Sequence, residues 1–181
     1  MWPLSEVREV FVRTWQAGLA VSVHTIGDEA AHQVLTVAAE VWREGIHGSL
    51  NVEHGEILRP ETIALLKETK ALVHMQPCHW LSDRRWLKEK LGTLYSYAFA
   101  WAALQASGIS YQWGSDSPIE EASVYNNWKA LSESAGEGIP PLEGNLLAAH
   151  SHPDPSWGPG CQSVFENGQI KELIFDGKKL I

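Results

Sequence analysis

The sequence has few cysteines, few basic residues and no long apolar segment. Only two of the 181 residues are cysteine, Cys78 and Cys161, and without a CxxC spacing they favour a reduced structural pair over a disulfide. Fourteen basic residues against 22 acidic ones give a net charge of −8, which argues against nucleic acid and anionic membranes as partners. The longest apolar runs, such as residues 18–23, are far short of the roughly 20 residues that cross a membrane.

The amino terminus resembles neither a secretion signal nor a transit peptide. Residues 1–6 lack a basic segment followed by an apolar one, and Glu6 and Glu9 are unusual in a transit peptide. We therefore expect a cytoplasmic protein. Apolar residues make up 44% of the chain and charged residues 20%, a composition that predicts a globular fold.

Short apolar segments alternate with amphipathic ones along the first 135 residues. Strands alternating with helices at intervals of about 30 residues favour a parallel sheet with right-handed crossovers. The prediction is an α/β fold, a partial TIM-like barrel of four βα units. The predicted strands are residues 18–23, 49–53, 71–76 and 109–113, and the predicted helices begin near residues 4, 28, 60, 83 and 119, with a break near Gly92.

The remainder of the chain has a different character. Residues 136–161 are rich in glycine and proline and are predicted as a loop, which leaves residues 1–135 as the barrel part. In residues 162–181, two strand-like segments flank Asn167-Gly168, a pair typical of tight hairpin turns. These residues predict a small β element, a hairpin with a third short strand.

Three predicted strands lead to side chains that bind metals or transfer protons. His24 follows the first strand, His54 the second and Asp116 the fourth. The carboxyl ends of barrel strands converge on one face, where such side chains build active sites. Two imidazoles and a carboxylate suit a divalent metal ion, above all zinc, and a ligand position left to water would activate that water.

Four consecutive motifs resemble signatures of the amidohydrolase superfamily. They are HTIGDEA at residues 24–30, EHGEIL at 53–58, MQP at 75–77 with His79 and Ser82-Asp83, and GSDSPIE at 114–120. The branch they resemble is that of the YtcJ-like amidohydrolases of family 3, some of which are named exoenzyme regulatory protein AepA. The resemblance covers about residues 5–125. It implies a metal-dependent hydrolase on a distorted TIM barrel that cleaves amide-type carbon–nitrogen bonds in a small-molecule substrate.

The resemblance also implies roles for individual residues. His24 and His54 match metal ligands after the fifth and sixth barrel strands, and in members with one metal the residue matching His54 polarises the substrate. Asp116 matches a ligand after the eighth strand that accepts a proton from the attacking water, so Asp116 and His54 are the catalytic candidates. Gln76 and His79 follow the seventh strand as candidate substrate contacts, with ordinary loop hydrogen bonds as the equal alternative.

The family's first-strand His-x-His motif and its fourth-strand lysine have no counterpart in this sequence. On the resemblance, the chain corresponds to the C-terminal half of the barrel, and we expect the chain alone to have impaired activity. Exposed strand edges would favour a homo-oligomer or pairing with a missing N-terminal half. The alternative function is a non-catalytic remnant that acts as a regulatory or binding module.

Two further groups of residues are candidates for the site. His150 and His152 form a His-x-His in the predicted loop, where alternate residues of an extended segment can bind one extra metal ion together, with solvent-exposed loop histidines as the alternative. Four acidic residues near the motifs are predicted either to orient the histidines or to be exposed to solvent. They are Glu53, Glu56, Glu120 and Glu121.

Overall fold

Strands and helices alternate along the larger part of the molecule. The computed structural model describes residues 2–143, 162–166 and 169–180. The elements up to residue 143 are α1 (Leu4–Gln16), β1 (Val21–Thr25), α2 (Asp28–Arg43), β2 (Leu50–His54), α3 (Pro60–Glu68), β3 (Leu72–Met75), α4 (Pro77–Leu91), a 3-10 helix (Gly92–Tyr97), α5 (Trp101–Ser107), β4 (Tyr111–Trp113), α6 (Val124–Glu133) and a second 3-10 helix (Ser134–Glu137).

The four strands form one parallel sheet in the order β1-β2-β3-β4. The register pairs Thr25 with His54 and Met75 with Trp113, so neighbouring strands end close to one another. Because the strands are parallel, their carboxyl ends lie along one edge of the sheet. The predicted α/β fold, a partial TIM-like barrel, is confirmed.

An apolar layer between the sheet and the helices holds these strand ends in place. Val52 and Val73 at the centre of the sheet are fully buried, as are Leu35 of α2 and Leu66 of α3. Burial of one such side chain stabilises the fold by about 1.5–3 kcal/mol relative to exposure. Side chains at the strand ends are therefore carried by a packed support.

Two helices begin at other residues than the sequence pattern predicts. Helix α4 begins at Pro77 and not near residue 83, since proline lacks an N–H and fits the first turn of a helix. Helix α6 begins at Val124 and not near residue 119, because the Ser123 side chain accepts a hydrogen bond from the N–H of Asn126 and caps the helix. The earlier start of α4 places His79 in its first turn.

The carboxyl-terminal residues form the predicted β element. Strand β5 (Gln162–Glu166) pairs antiparallel with β6 (Gln169–Phe175), which pairs antiparallel with β7 (Lys178–Lys179). Most of the predicted loop 136–161 lies outside the described residues, together with Cys161, His150 and His152. The division of the chain at residues 135 and 161 stays a prediction.

Strands β1 and β4 are the outer strands of the parallel sheet. In the described part of the chain, β1 pairs with β2 alone and β4 pairs with β3 alone. Val21 donates its N–H to the carbonyl of Ser49 at 2.9 Å, so the alternation of a parallel strand turns the N–H groups of Ser22 and His24 away from β2.

Among the described helices, none is long and apolar enough to cross a membrane.

Candidate metal centre

The strand ends bring the predicted site residues to one edge of the sheet. His24 lies in β1, His54 is the last residue of β2, Gln76 directly follows β3, and Asp116 follows β4. The rings of His24 and His54 pack edge to face, with their centroids 4.4 Å apart. The structure thus brings the two predicted histidine ligands into contact.

Residues His54 and Asp116 both have left-handed backbone conformations. Their φ angles are 70° and 55°, values that residues other than glycine rarely adopt. Each such conformation costs of order 1–3 kcal/mol and is tolerated where the surrounding structure fixes it, which is common at functional sites. At His54, the last residue of β2, the backbone leaves the strand direction.

His54 is a buried imidazole that favours its neutral form. Burial lowers the pKa of His54, and the neighbouring His24 lowers it further, whereas Asp116 and Glu56 oppose the shift. A neutral imidazole is the form that binds a metal. Since Asp116 acts on the pKa of both His54 and His79, its carboxylate lies within electrostatic reach of the two rings.

A second buried histidine, His79, is hydrogen-bonded to Glu56. Nδ1 of His79 and Oε1 of Glu56 are 2.8 Å apart, a hydrogen bond in which the ring N–H donates. This bond raises the pKa of His79, although burial opposes the effect. The His79 ring stacks on that of His54, with centroids 5.7 Å apart and planes 25° apart.

Among the described residues, one group of three metal-binding side chains has its ligand atoms together. It consists of His54, Glu56 and His79, all buried, with one ligand atom of each within 4.8 Å of the others. His54 is shared with the predicted set, whereas His24 and Asp116 are outside this group. The roles predicted for His24, His54 and Asp116 as ligands stay predictions.

Unpartnered polar atoms indicate that the group fits a divalent cation. Nδ1 of His54 and Nε2 of His79 are buried and have no hydrogen-bond partner among the described residues. A buried polar atom without a partner costs free energy, and a bound ion or water removes that cost. Imidazole nitrogens beside a carboxylate are a donor set that suits zinc and related divalent ions.

Gln76 presents an acceptor at the same edge. Its amide nitrogen donates to the carbonyl of His74 at 3.1 Å, a contact that only the NH₂ end can make. Oε1 is therefore the free end, and it is buried without a partner among the described residues. This atom can accept a hydrogen bond from a donor such as a substrate N–H group.

Sequence reasoning left two features of this region open. The sequence allows Glu56 either to orient a histidine or to face solvent, and the structure places it in contact with His79. His74 received no role, yet it pairs with Glu53, whose carboxylate also accepts from the Ser22 hydroxyl. The helix-start proline at residue 77 was the signal that could have placed His79 beside Glu56, because it fixes the first turn of α4.

The remaining acidic candidates face other partners. Glu120 accepts a hydrogen bond from the Ser82 hydroxyl at 2.6 Å, and Glu121 accepts from the side-chain amide of Asn126 at 3.5 Å. Among the described residues, neither carboxylate forms a hydrogen bond or an ion pair with a histidine ring. Glu53 and Glu56 are thus the two that orient histidines.

Comparison with known proteins agrees with the geometry. The family model for the amidohydrolase family matches residues 1–141. The structure of an uncharacterized metal-dependent hydrolase from Pyrococcus horikoshii OT3 is similar with a TM-score of 0.62 and 22% identity, over 83% of this chain and 29% of that chain. An uncharacterized metal-dependent hydrolase from Pyrococcus furiosus is similar with a TM-score of 0.56 and 27% identity, over 74% of this chain and 27% of that chain.

These comparisons also set the extent of the likeness. The chain spans less than a third of the length of either hydrolase. No protein with a curated description matches it. The family match nevertheless covers most of the 181 residues, including all four parallel strands and the group of His54, Glu56 and His79. The chain therefore belongs to the amidohydrolase family.

Proposed function

We propose that the chain is part of a metal-dependent hydrolase that cleaves an amide-type carbon–nitrogen bond. One observation carries the proposal: at the carboxyl edge of the parallel sheet of this family member, the imidazole rings of His24 and His54 are in contact, and Nδ1 of His54 is buried without a partner among the described residues. Such nitrogens are suited to a divalent cation. The YtcJ-like branch, zinc as the ion and a cytoplasmic location belong to the same proposal and rest on the sequence.

The proposed ligands are His24, His54 and Asp116. The contact between the His24 and His54 rings supports the first two, and the electrostatic influence of Asp116 on His54 supports the third. When bound, a divalent ion supplies a Lewis acid for the substrate carbonyl and lowers the pKa of water. The Asp116 carboxylate then accepts the proton of the attacking water as general base.

Substrate contacts are proposed for Gln76 and His79. Each has a buried polar atom without a partner among the described residues, Oε1 of Gln76 and Nε2 of His79. The Gln76 oxygen accepts hydrogen bonds and so favours a substrate that carries an N–H group. An amide meets this requirement, whereas an ester of the same shape does not.

The open edges of the sheet lead to a proposal about assembly. Strands β1 and β4 have one neighbour each in the described part of the chain, and unpaired strand edges tend to pair with other strands. We propose that a second copy, in a homo-oligomer, or an N-terminal half pairs with them. Activity of the chain alone is then impaired, because the first-strand and fourth-strand ligands of the family lie elsewhere.

Metal content per chain tests the proposed function. After gel filtration in zinc-supplemented buffer, elemental analysis should find about one ion per chain, lost when His24 and His54 are both replaced by alanine. His47→Ala is the matched control, since His47 is an exposed histidine whose ring contacts the Trp42 carbonyl. Purified protein that binds metal is then assayed with a panel of amides and matched esters.

The same measurement separates the alternative function. A parent chain without bound metal under these conditions contradicts the proposed hydrolase site. That outcome favours the regulatory or binding module, which keeps the strand-end histidines without a competent site. Metal binding with cleavage of esters alone contradicts the carbon–nitrogen specificity but not the metal centre.

A further inference from the structure

Two hydrogen-bonded histidine–glutamate pairs join neighbouring segments at the parallel sheet. Nδ1 of His79 is 2.8 Å from Oε1 of Glu56, and Nδ1 of His74 is 2.9 Å from Oε1 of Glu53. In both pairs, the second ring nitrogen is buried without a partner among the described residues. The same chemistry therefore occurs twice, once at the carboxyl edge and once within the strands.

The two pairs differ in burial and in their neighbours. The side chains of His79 and Glu56 are 10% and 8% exposed, whereas those of His74 and Glu53 are 25% and 32% exposed. His79 also stacks on His54, and these two rings with Glu56 form the one compact group of metal-binding side chains in the described residues. Among the described residues, His74 and Glu53 belong to no such group, so this pair serves as an internal control for the role of His79 and Glu56.

We propose that His79 is a metal ligand through Nε2, and that Glu56 is the positioning residue that presents this nitrogen. The inference rests on the proposed function, because it assumes that the site beside His54 binds a divalent ion. It changes the predicted role of His79 from substrate contact to ligand. It gives Glu56 a role that the sequence left open.

The hydrogen bond to Glu56 decides which nitrogen of His79 is available. A carboxylate can only accept, so the Nδ1 atom of His79 carries the hydrogen. In the neutral ring, the lone pair is then on Nε2, the nitrogen without a partner. Carboxylate–histidine–metal arrangements of this kind fix the ring orientation and raise the basicity of the ligand.

The burial of Glu56 and His79 has a free-energy cost that a bound ligand would reduce. A carboxylate as buried as that of Glu56 is costly unless it accepts good hydrogen bonds, and the His79 N–H supplies one. The orphaned nitrogens of His54 and His79 carry a second cost that a shared cation would remove.

The test measures the affinity of the full chain for Zn²⁺ by chelator competition and follows Co²⁺ binding by its visible absorption. His79→Gln should weaken Zn²⁺ binding by about 100-fold or more and change the Co²⁺ spectrum. Glu56→Leu should weaken binding by about 10–100-fold, as for other residues that orient a ligand. His74→Gln is the matched control and should leave affinity and spectrum unchanged.

Glu56→Gln distinguishes positioning from direct ligation. A glutamine oxygen still accepts from the His79 N–H but brings no negative charge, so binding should stay within about tenfold of the parent. If Glu56→Gln weakens binding as much as Glu56→Leu, Glu56 ligates directly and the positioning role is overturned. For a His79→Ala chain, added imidazole should restore the parent Co²⁺ spectrum, which a mere folding defect would not allow.

The outcomes also separate this inference from the proposed function. If His79→Gln retains the parent affinity and spectrum while the His24→Ala, His54→Ala chain loses binding, His79 is not a ligand but the metal site stands. If the parent binds neither Zn²⁺ nor Co²⁺, the metal site and this inference both fail. Circular dichroism of each metal-free variant identifies any chain that has lost its fold.

Discussion

At the scale of the residue, burial decides the chemistry of individual side chains. The Cys78 thiol packs 4.0 Å from the carbonyl oxygens of Gly114 and Ser115 and is almost fully buried. Burial is the main cause that raises its pKa to about 11, and the charge of Glu120 adds to the effect. A thiol in this state is a structural residue, as the spacing of the cysteines predicts, and not a nucleophile.

This burial predicts slow reaction of Cys78 with thiol reagents. With a pKa of about 11, only about one thiol in a thousand is ionised at pH 8, because the raised pKa favours the protonated form. In a Cys161→Ser chain, labelling by an aromatic disulfide should be slow in the native state and accelerate about tenfold per pH unit from pH 8 to pH 10. The same chain in urea is the control and should react at once. Fast stoichiometric labelling of the native chain contradicts the prediction.

The residue scale also shows how far the sequence predicts the site. Apolar runs that stop at a polar residue predict that His24, His54 and Asp116 follow strands. In the structure, His24 lies inside β1 next to its last residue, His54 is the last residue of β2, and Asp116 follows β4. The Glu56–His79 hydrogen bond does not follow from any run or spacing, since 23 residues separate the partners. It depends on how the loop after β2 meets the first turn of α4.

At the scale of the element, close packing in short connections fixes how helices meet strands. The Trp15 indole at the end of α1 donates its N–H to the carbonyl of Ser49 at 3.2 Å, and its ring covers Gly48. A Cβ atom at residue 48 would lie 2.1 Å from Cδ1 of Trp15, far inside van der Waals contact. This glycine is needed for the close approach of α1 to the start of β2.

The contact predicts that Gly48→Ala destabilises the protein. The added methyl group forces Trp15 out of its packed position, at a cost of about 1–3 kcal/mol in the free energy of unfolding. The matched control is Gly27→Ala, because a Cβ at residue 27 meets nothing within 4 Å. Urea denaturation followed by tryptophan fluorescence measures both. Equal stability of the two variants would show that the Trp15 packing is not needed.

Elements were predictable where their signal is local. The four strands and the order of helices follow from apolar periodicity, which depends on burial of one face. The starts of α4 and α6 were wrong because a proline at the first helical position and a serine cap outweigh the apolar pattern. Both corrections involve backbone N–H groups that must find partners at the end of a helix.

At the scale of the whole molecule, the open sheet edge of β1 is the feature with a testable consequence. The N–H of Ser22 points away from β2, and the Ser22 hydroxyl donates to Glu53 at 2.6 Å. If β1 pairs with β4 of a second copy, this N–H is a hydrogen-bond donor in the interface. Proline at residue 22 removes the donor but leaves the bonds of Val21 and Val23 to β2 in place.

We expect Ser22→Pro to weaken self-association by about tenfold or more, since a buried acceptor loses its donor. Ser22→Ala is the control, because it loses only the hydroxyl contact with Glu53. Light scattering over a range of chain concentrations measures the mass of each variant and of the parent. A parent that is monomeric throughout contradicts the homo-oligomer and favours pairing with an N-terminal half.

The amino-acid sequence is enough to predict the alternation of strands and helices, the partial barrel and the family, because burial of one face and strand-end motifs are local properties of the chain. The contacts of His79 with Glu56 and His54 come from the tertiary fold, since they join the end of β2 and the loop after it to the first turn of α4. The register of the sheet and the residue at which each helix begins decide which distant segments meet. Neither can be derived from the spacing of residues in the sequence.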